Sequence, residues 1–273
     1  MSLPVADGLG KRILTAVVLA AAALAILLLL PQWVTVAGLT VLALAGAWEW
    51  SAFLLLASPV WRAGYVLLLG ALLWLAWRIS LTPAGCDLVL WAAVLWWLAA
   101  LGWVTLAPRR VAPWSAALAG ILALVPAWLA LVHLRASPDG AHWVLFALAL
   151  VWVADIGAFF CGRRFGRLQL APQVSPHKTW EGVLGGIGAS MLVAVAGSLW
   201  FRLPLAAFLP LSLAAVAFSI VGDLTESLLK RFAGMKDSGR LFPGHGGVMD
   251  RIDSLTGAAP VLLFGLRLMG VLA

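Results

Sequence analysis

The sequence predicts an all-α polytopic membrane protein, and three observations carry that prediction. Hydrophobic residues make up 64% of the 273 residues and charged residues only 11%, where a soluble domain carries about 25% charged residues. The apolar residues gather in runs of about 20, the length of helix that crosses a hydrocarbon core. The basic residues fall in the gaps between those runs, crowded into every second gap.

Nine runs predict nine transmembrane helices. Residues 1–10 form a short start, and Lys11-Arg12 precede the run Ile13–Leu30. That run is longer than the apolar core of a signal peptide and no small-x-small cleavage site follows it, so it reads as an uncleaved first span. Pro31-Gln32 either separates it from Trp33–Leu56 or breaks a single helix. The later runs are Trp61–Ser80, Leu88–Leu106, Trp114–Leu134, Trp143–Cys161, Val183–Phe201, Leu205–Gly222 and Ile252–Met269, and Pro59, Pro83, Pro108, Pro113, Pro138 and Pro204 mark their ends. With the N-terminus in the cytoplasm and the sides alternating, all of the 18 Lys and Arg residues except Arg78, Arg135, Arg202 and Arg267 lie on the cytoplasmic side. Such a bias supports both the count and the orientation. It also places the two long polar segments, 162–182 and 223–251, on one cytoplasmic face. The chain reads as one integral membrane domain. Residues 1–140 would form a scaffold with access for lipid, and residues 141–273 would carry the catalytic helices and loops.

Composition excludes other classes. The net charge of +7 would suit a nucleic-acid binder, but positive-inside loops account for it, and the 16 Trp lie mostly near the ends of runs, as interfacial aromatics do. Cys86 and Cys161, the 2 cysteines, fall near opposite faces and make neither a disulfide framework nor a metal motif.

Against this apolar background the stretch Ser227–Asp253 stands out, with Lys230, Arg231, Lys236, Asp237, Arg240, His245, Asp250, Arg251 and Asp253. Charge is costly near a bilayer, so such a cluster is a functional candidate. Asp223 and Glu226 precede it at a spacing of three, which shares one helix face, and Asp250 and Asp253 repeat that spacing. An N-cap at the ninth helix would explain Asp253 alone. It does not explain four carboxylates flanking a glycine turn and a basic run, which suit a metal ion and phosphates. Pro243-Gly244-His245-Gly246-Gly247 cannot form a regular helix; it offers backbone N–H groups, with His245 a donor or ligand. A second segment joins Arg163, Arg164 and Arg167 to Ser175-Pro176-His177-Lys178-Thr179-Trp180-Glu181-Gly182. Ser175 and Thr179 before a helix start suit an anion, and Lys178 adds a point charge. Glu181 is a substrate contact or merely a first-turn acid, and Arg167 a positive-inside anchor. Asp155, inside the sixth span, should face a cavity or the protein interior. Glu49, between Trp48 and Trp50, has no assigned role.

The pattern Ser227-x-x-Lys230-Arg231-x4-Lys236-Asp237-x5-Pro243-x-His245-Gly246-Gly247-x-x-Asp250-Arg251-x-Asp253 resembles the signature of the phosphatidate cytidylyltransferases (CDP-diacylglycerol synthases). The Ser175–Gly182 segment and the Ala154-Asp155 helix resemble that family too, with His177 a departure from it. The specific likeness covers residues 154–253; before it only the hydropathy and Trp48-Glu49-Trp50 match. The resemblance implies transfer of a cytidylyl group from CTP to phosphatidic acid, giving CDP-diacylglycerol and pyrophosphate. It also implies Mg²⁺, with a second cation such as K⁺ open, and a homodimer in a bacterial inner membrane. On that reading Asp223, Asp250 and Asp155 serve the metal. Lys230, Arg231, Lys236, Asp237, His245 and Asp253 carry the chemistry. Ser175, Lys178, Thr179, Glu181, Ser227, Gly246, Gly247 and Arg251 contact substrate. Two other classes compete: a CTP-dependent kinase of a polyprenol- or phytol-type lipid, and an ion-coupled transporter. The transporter would place its charges near the midplane, whereas here they gather on one face.

Overall fold

A proline decides how the bundle begins. The computed structural model describes residues 21–56, 58–239 and 246–272. Residues 21–29 (α1) are helical, Pro31 leaves the helical region at ψ 152°, and α2 starts at Gln32 (Gln32–Trp50). Thr35 Oγ1 donates to the Ile26 carbonyl at 3.3 Å. Along one straight helix those residues would stand more than about 13 Å apart, so the chain reverses at Pro31. The alternative of a single broken helix is thereby settled in favour of two.

The remaining helices alternate in direction: α3 (Pro59–Ile79), α4 (Pro83–Leu106), α5 (Pro113–Ala136), α6 (Gly140–Phe165), α7 (Trp180–Phe201), α8 (Leu205–Phe232) and α9 (Met249–Leu268), with a 3₁₀ turn at Ser51–Leu54 after α2. Proline in the first turn opens α3, α4 and α5, where its missing N–H costs nothing. Among the described residues seven helices, α2 to α8, are long and apolar enough to cross a membrane. Of the first expected span, residues 13–20 lie outside the described residues. The last, α9, is 20 residues long but too charged to qualify on composition, because Asp250, Arg251, Asp253 and Arg267 all lie on it.

That polar helix is nonetheless the core of the bundle. From Ser254 to Phe264 every α9 residue is buried, and it packs against α8, α5, α4, α6 and α2. Between helices in lipid there is little hydrophobic driving force, so small residues and close backbone approach hold the structure. A Cβ added at Gly257 would run into the Phe218 carbonyl of α8, and one at Gly186 of α7 would run into the Ala154 carbonyl of α6. Gly257→Leu should therefore push α8 from α9, an overpacking cost of about 1–3 kcal/mol. A lowered unfolding midpoint in detergent checks this; an unchanged midpoint contradicts the close crossing. Indole and phenol groups tie the N-terminal helices to α5: Trp50 Nε1 donates to the Ala116 carbonyl (2.8 Å) and Tyr65 Oη to that of Ala117 (3.0 Å).

Several boundaries differ from expectation: the second helix stops at Trp50, with a 3₁₀ turn to Leu54, short of the expected Leu56, while others run past the apolar segments. The eighth span runs on to Phe232 instead of stopping at Gly222, the ninth begins at Met249 instead of Ile252, and the sixth reaches Phe165. Polar residues that the hydropathy pattern assigns to loops thus extend the helices beyond the apolar runs. The segment after α6 is a small antiparallel hairpin, β1 (Gln169–Ala171) and β2 (Ser175–Thr179), with Gln169 paired to Thr179 and Ala171 to Ser175.

Candidate active site

The C-terminal ends of α2, α6 and α8, the N-terminal end of α9 and the hairpin meet at one end of the bundle. Because α8 continues through its polar residues, Asp223, Ser227, Glu226 and Lys230 sit one turn apart in pairs. Ser227 Oγ donates to Asp223 Oδ1 at 3.3 Å. Lys230 Nζ reaches Glu226 Oε2 on its own helix and Asp250 Oδ1 on α9, the latter at 2.8 Å. This bridge is deep: the Lys230, Glu226 and Asp250 side chains are 12%, 1% and 10% exposed. From the hairpin, Lys178 pairs with Asp223. The expectation of a polar loop spanning 223–251 is thus corrected. Its first ten residues are helix, and two lysines from different elements neutralise carboxylates of α8 and α9.

Asp250 lies in the first turn of α9 and Asp253 one turn further in, so Asp253 is not the N-cap that was one reading of it. Asp250 Oδ2 collects three donors: Gly247 N (2.8 Å), Ser238 N (3.0 Å) and Ser238 Oγ (2.9 Å). Asp253 faces Asp223, Glu226 and Lys230. Asp155, on α6, is exposed, and the charges that act on it are Asp223, Asp253, Lys178 and Arg251. Arg231, Lys236, Asp237 and Arg251 are exposed around this centre, and Gly246 takes a positive φ of 80° beside the buried Gly247. His245, Arg240, Pro243 and Gly244 lie outside the described residues.

The hairpin segment behaves differently from a phosphate loop. Thr179 caps α7, its Oγ1 accepting from Gly182 N at 3.2 Å. The Glu181 carboxylate accepts from Arg167 N (3.0 Å) and Leu168 N (3.2 Å), which ties the start of the hairpin to α7. Ser175 is committed to strand pairing with Ala171. Of the expected binders here, Lys178 alone points its charge into the acidic centre; Thr179 and Glu181 hold the hairpin that presents it.

The sequence reading left two participants unassigned. Glu49, 8% exposed at the end of α2, accepts from Ser238 Oγ (3.0 Å) and from Met249 N (2.9 Å). Ser238 is buried and lies between the two carboxylates. A lone acid within an apolar span was the available signal for Glu49; Ser238 gave none.

The rim of this end is basic, but its inner charges are unbalanced. Among the described residues, Glu49, Asp155, Asp223, Glu226, Asp250 and Asp253 face Lys178, Lys230 and Arg251. Among the described residues the buried Glu226 Oε1 has no hydrogen-bond donor, and Asp253 stands beside it. A hard cation suits such an all-oxygen donor set. No group of three metal-ligating side chains converges among the described residues.

Comparison with known proteins agrees with this architecture. Residues 10–269 match the model of the cytidylyltransferase family. The chain is 41% identical to the phosphatidate cytidylyltransferase of Pseudomonas aeruginosa over 93% of its own length and 95% of that protein. It is 39% identical to that of Haemophilus influenzae, over 92% and 96%. Against the phosphatidate cytidylyltransferase of Synechocystis the match is 45% identical but spans 48% of this chain. A family match running almost from end to end, on a bundle whose charged groups converge as described, shows that this chain belongs to the cytidylyltransferase family.

Proposed function

We propose that this chain is a phosphatidate cytidylyltransferase, joining the cytidylyl group of CTP to phosphatidic acid. The observation that carries the reading is the pair of lysines, Lys178 and Lys230, each seated on carboxylates from other parts of the fold at one end of an apolar bundle. Such an arrangement can exchange one anion for another: a triphosphate takes the ammonium groups, and the carboxylates turn to a cation. Asp223 and Asp250 would hold Mg²⁺, with Asp155 and Asp253 beside them, and the bound ion would neutralise charge on the phosphates. A second cation such as K⁺ would fit the remaining acidic excess.

The residues of the chain then act mainly by position and charge. Lys178 and Lys230 hold phosphate oxygens, with Arg231, Lys236 and Arg251 at the rim, and the Gly246-Gly247 backbone lies against the nucleotide. Asp237, exposed beside Lys236, orients that rim. A phosphate oxygen of phosphatidic acid attacks the α-phosphorus of CTP in line. The bond from that phosphorus to the bridging oxygen breaks, and pyrophosphate departs with the electron pair. The acyl chains stay in the bilayer beside α6, on which Asp155 is exposed. The charge bias supports a cytoplasmic active face in a bacterial inner membrane, and the family resemblance suggests a homodimer.

The test is incubation of purified protein in detergent with cytidine-labelled CTP and phosphatidic acid. Label should move into lipid with release of pyrophosphate, and EDTA should stop it. Phosphate transfer to a polyprenol without cytidine in the lipid would instead make the chain a CTP-dependent lipid kinase.

A further inference from the structure

We infer that Glu49 is a positioning residue for the active centre, a helix cap supplied from the opposite half of the chain. The inference rests on the cytidylyltransferase reading for its meaning, but its geometry stands by itself. The first N–H groups of a helix have no partner within it. Val248, at the start of α9, offers no side-chain cap. The Met249 N–H is satisfied by Glu49, 200 residues away in sequence. The carboxylate also sits at the positive end of the α9 dipole, where negative charge is favoured.

The same Glu49 oxygen accepts from Ser238 Oγ (3.0 Å), and Ser238 Oγ and N lie 2.9 and 3.0 Å from Asp250 Oδ2. The backbone at Gly239 and Gly247 comes up against the Glu49 carboxylate so closely that a Cβ at either position would overlap it. Glu49 therefore holds three points at once: the segment before the glycine turn, the segment after it, and the first residue of α9. Asp250 is the next residue, and its carboxylate direction is fixed by Ser238 and Gly247, the groups that Glu49 anchors. Removing Glu49 leaves the buried Met249 N–H without its acceptor and loosens the Ser238 and Gly247 segments that set the direction of the Asp250 carboxylate.

The experiment compares Glu49→Leu, Glu49→Gln, Ser238→Ala and the Leu/Ala double variant. Leucine suits an apolar span, so insertion is preserved; glutamine keeps an acceptor oxygen in place. Glu49→Leu should lower kcat about 10–100-fold, the effect of losing a partner that orients a ligand, and raise the Mg²⁺ concentration needed for half-maximal rate. Glu49→Gln should recover most of both. The double variant should be no worse than Glu49→Leu, because both changes break one chain of bonds. A residue that merely helps folding would lower the yield of folded protein and leave the Mg²⁺ requirement of the folded fraction unchanged; that result, or additive losses, overturns the inference. A wild type that labels no lipid overturns the functional reading instead. In that case amide exchange decides for Glu49: faster exchange at residues 247–250 in Glu49→Leu, but not in Glu49→Gln, upholds the cap, and equal exchange rejects it.

Discussion

Asp250→Asn is expected to reduce cytidylyl transfer by about 10²–10³-fold or more while leaving membrane insertion intact and lowering the unfolding midpoint less than loss of Lys230 does, because Lys230 keeps Glu226 as a partner. The amide is the same size and its oxygen still accepts from Gly247 N and Ser238, which approach Oδ2 at 2.8–3.0 Å. The change falls on Oδ1, now paired with Lys230. There the variant loses the negative charge that would hold a cation and places an N–H₂ group toward an ammonium. Ligand chemistry is lost and scaffold bonds are kept, so activity and stability should separate. Turnover near the wild-type rate would remove Asp250 from the list of ligands.

Lys230→Ala should do the reverse and damage both. Lys230 lies between Glu226 and Asp250, all three nearly inaccessible. Deleting one partner of a buried ion pair costs about 3–5 kcal/mol, because the remaining charge is left uncompensated, and here two carboxylates remain beside Asp253. Thermal unfolding in detergent should show a large drop, and turnover should vanish with the phosphate contact. Lys230→Met combined with Glu226→Gln removes charge from both sides and should regain much of the lost stability but none of the activity. If Lys230→Ala unfolds like wild type, the bridge is not a buried structural charge and its role is confined to substrate.

How far the sequence could be read follows from where its signals are local. The spans were legible because hydropathy and positive-inside bias are properties of short windows. The charged stretch was legible because charge beside lipid is conspicuous. Helix ends were not: α8 continues through Asp223, Glu226, Ser227, Lys230 and Arg231 because i,i+4 contacts between those residues favour helix, a term that hydropathy ignores. The hairpin at 169–179 was read as a loop because its strands are short and stabilised by Glu181 from the following helix. Glu49 stayed unassigned because its partners are 189 and 200 residues away, and no window contains them. Family membership, by contrast, was legible from the spacing of fixed polar residues alone.

The centrality of α9 bears on how the molecule is made. It emerges from the ribosome after every helix it packs against, and on its own composition it is the least suited of them to enter lipid. The earlier helices must therefore wait in the bilayer around a vacant axis until a polar-tipped segment joins them and both halves of the reaction centre, from α2 to α8, gain their common partner. The charged centre is thus completed only when α9 joins the helices that precede it.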